Sequence, residues 1–237
     1  MPKQFSVQQV FDAVADKYDL MNSLMSFGLH HVWKNKFIAM IESYKTHILL
    51  DVAGGTGDIA MGFLNSGGGK ATICDINNNM LIAGDKQRID NGSFNKYKKN
   101  LSTVCGDAQD LPFEDNSFDR VTISFGIRNV ESIQKALDEM FRVTKVGGKF
   151  LCMEFLRPQS DTITRQIYDF FSFNCIPIIG KIVIGDEKPY EYLVDSIRAF
   201  PKTDDFIKMI KKSGFEMIKI TVLLNDVVAI YSAYRIF

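Results

Sequence analysis

The fold of this 237-residue chain is decided by one stretch, Asp51-Val52-Ala53-Gly54-Gly55-Thr56-Gly57-Asp58. The apolar run Ile48–Ala53 leads into it and predicts a short buried strand, and a helical pattern begins at Asp58. Glycines between a strand and a helix permit positive φ and let a ligand approach the backbone closely. The stretch therefore predicts a strand–loop–helix unit whose loop binds a ligand.

Outward from this unit, strands and helices alternate along the chain. The further predicted strands are Ala71–Ile76, Leu101–Gly106, Phe118–Ser124, Lys149–Phe155, Phe215–Leu224 and Val227–Tyr234. The further predicted helices are Leu29–Ser43, Asn77–Arg88, Ile133–Val143 and Asp204–Lys212. This order predicts an α/β fold: a doubly wound, mainly parallel, seven-stranded Rossmann-like sheet. Its last two strands form an antiparallel hairpin that turns at residues 225–226.

The whole chain, residues 1–237, is expected to form a single domain. Two segments stand outside the alternation. Residues 1–45 predict an N-terminal helical cap, and residues 157–199 predict a helical insertion on the substrate side. The insertion carries a dense set of Phe and Ile side chains between residues 167 and 184, which predicts either core packing or a tunnel for a lipid tail.

Composition narrows the classes of function. The chain has 28 basic and 28 acidic residues, so it lacks the basic footprint of a nucleic-acid-binding protein. Its three histidines and four cysteines show no ligand spacing, so no metal site is expected. The uncharged run Phe170–Gly180 is too short to span a bilayer, and the N-terminus lacks a signal-peptide core.

Two ligands compete for the glycine loop. Residues 55–60 fit the dinucleotide fingerprint GxGxxA, in which a pyrophosphate lies at the helix N-terminus. Asp58 occupies that first helical turn and would repel a pyrophosphate. S-adenosylmethionine carries an ammonium and a sulfonium instead, which suit the acidic residues Asp51 and Asp58. The loop, with Gly54, Gly55 and Gly57, is therefore expected to bind S-adenosylmethionine, although Asp58 is also an ordinary N-terminal helix charge.

Acidic residues also end the next two predicted strands. Asp75 is expected to accept hydrogen bonds from the ribose hydroxyls, or else to cap the following helix. Asp107 is expected to accept a hydrogen bond from the adenine amino group, or else to serve as a turn residue. Ser124 ends the fourth strand, beside the crevice expected at the carboxyl ends of the strands.

With these motifs placed, the chain resembles the quinone-ring C-methyltransferases of ubiquinone and menaquinone biosynthesis, a family of S-adenosylmethionine-dependent enzymes. The resemblance covers nearly the whole chain and is carried by residues 18–22, 28–30, 33–34, 51–58, 106–108, 111–113, 122–130 and 227–230. The Tyr-Asp-x-Met-Asn string and the Gly-Ile-Arg-Asn string are specific to that family. Two departures are Val146, where the family usually has Pro, and His31, where it commonly has Arg.

The resemblance implies cofactor contacts at Thr56, Asp75, Asp107, Ala108 and Ser124. It implies methylation of a ring carbon of a polyprenylated quinol. The substrate expected is 2-methoxy-6-polyprenyl-1,4-benzoquinol, with demethylmenaquinol as the alternative. Residues 51–53 and 74–76 look closer to the mitochondrial ubiquinone branch.

Ring-carbon methylation needs a phenolate and close alignment with the methyl donor. We expect Arg128 to stabilise the phenolate or to hold the water that takes its proton, because a guanidinium stays protonated. We expect Asn129 to orient a ring oxygen. Tyr18, Asp19 and His30 are candidates for the proton acceptor or for closing a lid over the site, and the sequence does not rank them.

The implied setting is the matrix side of the mitochondrial inner membrane, with peripheral contact, or else the bacterial cytoplasm. A homodimer and an association with other quinone-biosynthesis enzymes are expected. Three other classes compete with this one: an NAD(P)-dependent oxidoreductase, a non-catalytic cofactor-binding subunit of a quinone-biosynthesis complex, and a nucleic-acid amino-methyltransferase. The last normally has an (Asp/Asn)-Pro-Pro-aromatic string after strand four, where this chain has Ser124-Phe125-Gly126.

Overall fold

A computed structural model describes residues 28–157, 188–224 and 227–237. Its strands are β1 (Ile48–Val52), β2 (Lys70–Asp75), β3 (Leu101–Cys105), β4 (Phe118–Ser124), β5 (Thr144–Phe155), β6 (Glu216–Leu223) and β7 (Val228–Tyr234). They form one sheet of seven strands in the order β3-β2-β1-β4-β5-β7-β6. β7 runs antiparallel to both of its neighbours, and the other pairings are parallel. The predicted α/β fold with its antiparallel hairpin is confirmed.

Helices connect the strands and cover both faces of the sheet. They are α1 (Leu29–Ile41), α2 (Asp58–Asn65), α3 (Asn78–Asp90), α4 (Phe94–Tyr97), α5 (Ile133–Val143), α6 (Lys188–Ala199) and α7 (Thr203–Lys212). A 3₁₀ turn, Ile127–Asn129, follows β4. The interior strands are buried along nearly their whole length, whereas the edge strands β3 and β6 are largely exposed. Interior parallel strands are covered on both faces, which explains their continuous apolar runs.

Two hydrophobic cores lie on opposite faces of the sheet. The first is formed by α1 and α2, with Trp33, Phe37 and Phe63 packed against Leu49 and Ile73. The second is formed by α5 and α7, with Leu137, Met140, Phe206 and Ile210 packed against Val121 and Phe150. Helices that follow the neighbouring strands β1 and β4 therefore diverge to opposite faces. In open α/β sheets this divergence opens a ligand crevice at the carboxyl ends of the strands.

The C-terminus of α1 is held by cations from the sheet, because no basic residue lies in its own last turn. Arg120 Nε donates to the carbonyl oxygen of Ile41 at 2.7 Å. Lys149 Nζ donates to the carbonyl oxygen of Met40 at 2.8 Å and forms an ion pair with Glu42. Both cations are buried, and they fix α1 to the sheet near the amino end of β4.

The observed elements differ from the predicted ones at a few boundaries. β5 begins at Thr144 rather than Lys149, because Thr144 pairs with Phe118 directly after α5 and the strand continues past a register shift. The paired glycines at 147–148 hide this extension from the sequence pattern. The four-residue helix α4 is too short to show a helical period and was not predicted.

Parts of the predicted cap and insertion fall outside the described residues. These are residues 1–27, residues 158–187 and the predicted turn at 225–226. The described part of the cap contains α1, as predicted. The described end of the insertion contains α6, and a helical structure was predicted there.

Candidate active site

The glycine loop leaves β1 in a left-handed backbone conformation. Ala53, Gly55 and Gly57 have φ values of 50°, 55° and 94°. The amide of Gly57 donates to the carbonyl oxygen of Gly54 at 2.9 Å and closes a tight turn. A Cβ on Gly54 would lie 2.8 Å from Ile73 Cγ2, so only glycine fits there. The loop therefore presents bare backbone at the start of α2, as the sequence predicts.

Asp51 lies buried beneath this loop. Its Oδ1 accepts a hydrogen bond from Thr122 Oγ1 at 2.8 Å. Its Oδ2 has no partner in hydrogen-bond geometry among the described residues, and a Cβ on Gly54 would lie 2.9 Å from it. Burial raises the pKa of Asp51 to about 7, although the Thr122 hydroxyl and the Ala60 amide act in the opposite direction. A buried carboxylate with a spare oxygen under the loop suits a cationic ligand group and opposes a phosphate.

Asp75, at the end of β2, closes against the glycine loop. Its Oδ2 accepts the amide of Gly55 at 2.8 Å, and its Oδ1 accepts the amide of Asn77 at 2.8 Å. Burial raises the pKa of Asp75, while these two hydrogen bonds act in the opposite direction. The helix cap is Asn77, whose side chain accepts from the amides of Asn79 and Met80. Each Asp75 oxygen keeps a lone pair, so both the predicted ribose contact and the anchoring of the loop are compatible with the geometry.

Helix α3 supports the loop from behind, which the sequence did not reveal. Arg88 is buried, donates from Nη1 to the carbonyl oxygen of Thr56 at 2.7 Å, and forms an ion pair with Asp85. A Cβ on Gly84 would lie 2.6 Å from that same oxygen. Gly84 therefore permits close contact between helix and loop, and Arg88 holds Thr56 by its backbone. A glycine and an arginine four residues apart in a helix give no distinctive sequence signal.

Asp107 and Ala108 lie in a turn just after β3. Asp107 Oδ1 accepts the amide of Gln109 at 2.9 Å, and Ala108 is buried. Gln109 also accepts the amide of Ser132, the N-cap residue of α5, at 2.9 Å. Asp107 therefore lies in a turn, which agrees with its alternative interpretation as a turn residue. The adenine contact predicted for it stays a prediction.

Asp58 has a cation beside it. Lys34, from α1, forms an ion pair with Asp58 in the first turn of α2. The negative charge that was expected to repel a pyrophosphate is therefore largely offset. The preference for a cationic ligand rests on Asp51 and Asp75, the two carboxylates nearest the loop glycines.

The end of β4 meets the glycine loop closely. Ser124 is the last, half-buried residue of the strand, and Phe125 follows with a φ of 55°. A Cβ on Gly126 would lie 2.5 Å from Ala53 Cβ, so this position excludes larger residues. Two non-glycine residues with positive φ, Ala53 and Phe125, thus lie next to each other across the crevice. Such strain concentrates at functional sites.

Arg128 lies just beyond this point and is held by several partners. Its Nη1 donates to the carbonyl oxygen of Phe125 at 2.6 Å and to Glu154 Oε1 at 2.8 Å. Its Nε donates to Ser196 Oγ on α6 at 3.3 Å. Its side chain is 7% exposed and that of Glu154 is fully buried. Arg128 and Glu154 therefore form a buried ion pair.

Asn129 is linked to the insertion in the same way. Its Oδ1 accepts a hydrogen bond from the Tyr192 hydroxyl at 3.1 Å. Tyr192 and Ser196 both lie on α6, so one helix contacts both predicted substrate-side residues. Neither Tyr192, Ser196 nor Glu154 was singled out from the sequence.

An aromatic group lies between α1 and the ends of β4 and β5. The rings of Phe125 and Phe155 are 4.8 Å apart, Trp33 is 6.3 Å from each, and the Arg128 guanidinium lies 5.5 Å from the centre of the Phe155 ring. His30 precedes Trp33 by three residues, shares its helix face, and is buried. Tyr18 and Asp19 lie outside the described residues, so their roles stay predictions.

The described residues contain no group of three side chains suited to hold a metal ion. They do fit S-adenosylmethionine in three respects: the bare loop backbone, the unpaired oxygen of buried Asp51, and the carboxylate of Asp75 beside the loop. The carboxyl ends of four adjacent strands thus bring together ten predicted cofactor residues, from β1, β2, β3 and β4. These are Asp51, Gly54, Gly55, Thr56, Gly57, Asp58, Asp75, Asp107, Ala108 and Ser124.

Comparison with solved structures supports the same fold. A methyltransferase from Aquifex aeolicus described as SAM-dependent has a TM-score of 0.59 at 14% identity, covering 85% of this chain and 89% of its own. Phosphoethanolamine N-methyltransferase 2 of Haemonchus contortus, solved in complex with S-adenosyl-L-methionine, has a TM-score of 0.70 at 15% identity. That match covers 99% of this chain and 61% of the other. At these identities the likeness concerns the fold alone.

Sequence relatives are much closer. The chain is 47% identical over 239 residues to the ubiquinone/menaquinone biosynthesis C-methyltransferase UbiE of Rickettsia prowazekii, covering 99% of this chain and 94% of that protein. It is 42% identical to the mitochondrial 2-methoxy-6-polyprenyl-1,4-benzoquinol methylase of Mus musculus, covering 99% of this chain and 81% of that one. Residues 2–235 match the model of the ubiE/COQ5 methyltransferase family. The resemblance read from the motifs is confirmed: this chain belongs to the ubiE/COQ5 methyltransferase family, whose members are S-adenosylmethionine-dependent C-methyltransferases.

Proposed function

We propose that this protein transfers a methyl group from S-adenosylmethionine to a ring carbon of 2-methoxy-6-polyprenyl-1,4-benzoquinol in ubiquinone biosynthesis. The observation that carries the proposal is Arg128, held rigidly at the carboxyl end of β4 beside the glycine loop. A fixed cation at the edge of a cofactor crevice suits a phenolate oxygen. The printed activity of the Mus musculus relative supports this choice of ring.

The chemistry divides between donor and protein. S-adenosylmethionine, when bound, supplies an electrophilic methyl group on a positively charged sulfur. The ring carbon supplies the electron pair, and ionisation of the neighbouring phenol strengthens it as a nucleophile. Nη2 of Arg128 has no acceptor among the described residues, so its two N–H groups can donate to the phenolate oxygen. Asn129, whose Oδ1 is occupied by Tyr192, keeps its amide N–H groups for a second ring oxygen.

Demethylmenaquinol is a second candidate substrate. The Rickettsia prowazekii relative is named for both ubiquinone and menaquinone biosynthesis and is the more similar of the two relatives described above. Arg128 and Asn129 would address the oxygens of a naphthoquinol in the same manner. The two rings differ in width, but the polar contacts expected for them are the same. The two substrates are therefore distinguished by an activity assay.

We further propose that the protein works at a membrane surface, because a polyprenylated substrate partitions into lipid. The setting is the matrix side of the mitochondrial inner membrane or the inner face of a bacterial membrane, as the two kinds of relative suggest. None of the helices in the described ranges is long and apolar enough to cross a bilayer. A homodimer and an association with other quinone-biosynthesis enzymes complete the proposal.

The test is a methyl-transfer assay with reduced benzoquinol and naphthoquinol analogues, read by mass spectrometry. Wild-type protein should methylate the benzoquinol, and Arg128→Met should lose most of this turnover while still binding the cofactor. Lys145→Met is a matched control, because Lys145 forms an ion pair with Asp119 near the amino end of β4, whereas Arg128 lies beyond its carboxyl end. Turnover confined to the naphthoquinol would reassign the substrate. Cofactor binding without any turnover would leave a non-catalytic subunit.

A further inference from the structure

Glu154 is a fully buried carboxylate near the carboxyl end of β5. Its Oε1 accepts hydrogen bonds from Arg128 Nη1 and from the amide of Phe155, each at 2.8 Å. Its Oε2 lies 3.4 Å from the amide nitrogen of Arg128. Glu154 therefore holds both the side chain and the backbone of the same arginine.

The contacts of Arg128 leave one end of its guanidinium available. Nε donates to Ser196, and Nη1 is shared between Glu154 and the carbonyl oxygen of Phe125. Together these bonds fix the plane of the group on two of its three nitrogens. Nη2, the third, has no acceptor within the described part of the chain. A guanidinium fixed in this way presents two N–H donors in one direction.

From this geometry we propose that Glu154 is a positioning residue for methyl transfer, which orients Arg128 so that Nη2 meets the phenolate oxygen of the substrate. The inference rests on the proposed function and assigns Glu154 no contact with the substrate. Glu154 belongs to β5, so the sheet fixes the orientation of the Arg128 side chain.

Stability alone is a poor reason for this arrangement. Burying two charges removes both from water, and replacing a buried ion pair by apolar residues is often neutral or stabilising. Burial raises the pKa of Glu154, and the charge of Arg128 opposes that rise. Burying the ion pair costs desolvation free energy, but it fixes the orientation of Arg128. Methyl transfer requires such a fixed orientation, because the step is sensitive to alignment.

The experiment compares four proteins in the quinol assay: wild type, Glu154→Gln, Arg128→Met and the double variant. Glu154→Gln keeps the shape of the side chain but replaces one carboxylate oxygen by an NH2 group. This NH2 group would face a backbone N–H donor, so Arg128 should lose its alignment. We expect kcat to fall about 10- to 100-fold, with cofactor Kd unchanged. The double variant should be no slower than Arg128→Met alone, because Glu154 acts through that residue.

The pH profile separates positioning from a merely structural role. Removing the carboxylate leaves the charge of Arg128 uncompensated, so the bound phenol should ionise more readily and the acid limb of kcat should move to lower pH. Asp119→Asn, which breaks the ion pair with Lys145 near the amino end of β4, should lower the melting temperature without moving this limb. If Glu154→Gln does not fold, Glu154→Asp, which keeps the charge but shortens the side chain, should lower kcat through lost alignment without moving this limb.

Two results would overturn the inference while wild type remains active. One is an unchanged kcat and pH profile in a folded Glu154 variant. The other is a double variant slower than Arg128→Met by the full factor of the Glu154 substitution. Absence of quinol turnover in wild type, with cofactor still bound, would instead refute the proposed function itself.

Discussion

Replacing Asp51 by Asn should change how the stability of the cofactor-free protein depends on pH. Asp51 is buried under the glycine loop, with its Oδ1 bonded to Thr122 and its Oδ2 unpartnered among the described residues. Burial raises its pKa from the ordinary 3.8 to about 7. The folded state therefore holds this proton more strongly than the unfolded state does. The contribution of Asp51 to stability is fully present below pH 3.8 and is lost as the pH rises through the folded pKa.

The size of the effect follows from the two pKa values. At about 1.4 kcal/mol for each pKa unit, the interval from 3.8 to about 7 corresponds to roughly 4 kcal/mol. Near pH 5.5 the unfolded carboxyl is already ionised and about half of that loss has occurred, leaving roughly 2 kcal/mol between about pH 5.5 and 8.5. Asn carries no charge at either pH, so the variant should not show this part of the dependence.

The assay is urea unfolding of wild type and Asp51→Asn at both pH values, without cofactor. The other titrating groups are common to both proteins and largely cancel in the difference. Wild type should lose about 2 kcal/mol relative to the variant between about pH 5.5 and 8.5. A difference that stays constant, or one in which wild type gains stability with pH, would refute the account of Asp51 as a carboxyl whose pKa in the empty site is raised to about 7.

Three further predictions concern the loop and its supports. Asp75→Asn should weaken cofactor binding about 10- to 100-fold in calorimetry, because one of the two accepting oxygens becomes an NH2 group that faces a backbone N–H. Gly84→Ala should lower stability by about 1–3 kcal/mol and also weaken cofactor binding, since its Cβ would meet the Thr56 carbonyl oxygen; an unchanged melting temperature would contradict this. Arg120→Met should cost about 2–4 kcal/mol in urea unfolding by leaving the carbonyls of α1 unpaired, yet cofactor affinity should not change.

The fold was predictable from the sequence because its signals are local. Interior strands such as β1 and β4 are largely buried on both faces, and this makes them mainly apolar segments between turn residues. Acidic residues that end successive strands meet at one edge of a parallel sheet, so the sequence pattern alone groups Asp51, Asp75 and Asp107 at one site. The strand order was not predictable, since it depends on pairings between distant segments.

The side chains that hold the site in place were also not predictable, because they too come from distant segments of the chain. Glu154 is 26 positions from Arg128, and Ser196 is 68 positions away. A lone Glu in an apolar strand gives no sign of what it pairs with. In the sequence pattern Arg88 marks only the end of a helix, although its side chain reaches the glycine loop. Sequence patterns thus identified candidate ligand-binding groups and missed the groups that hold them in place.

The ion pair of Lys34 with Asp58 changes the electrostatic basis of cofactor choice. A lone Asp58 at the start of α2 would by itself disfavour a pyrophosphate, but Lys34 offsets that charge and would even tolerate a phosphate nearby. Selection for a cationic donor is then expected to rest on Asp75, beside the loop, and on Asp51, whose spare oxygen lies within the protein interior beneath the loop. A phosphate bound above Asp51 would make ionisation of this carboxyl less favourable, because the two negative charges would repel each other. A bound ammonium group would instead favour loss of the Asp51 proton. We therefore expect donor choice to depend on these carboxylates at and below the glycine loop rather than on the first turn of the helix.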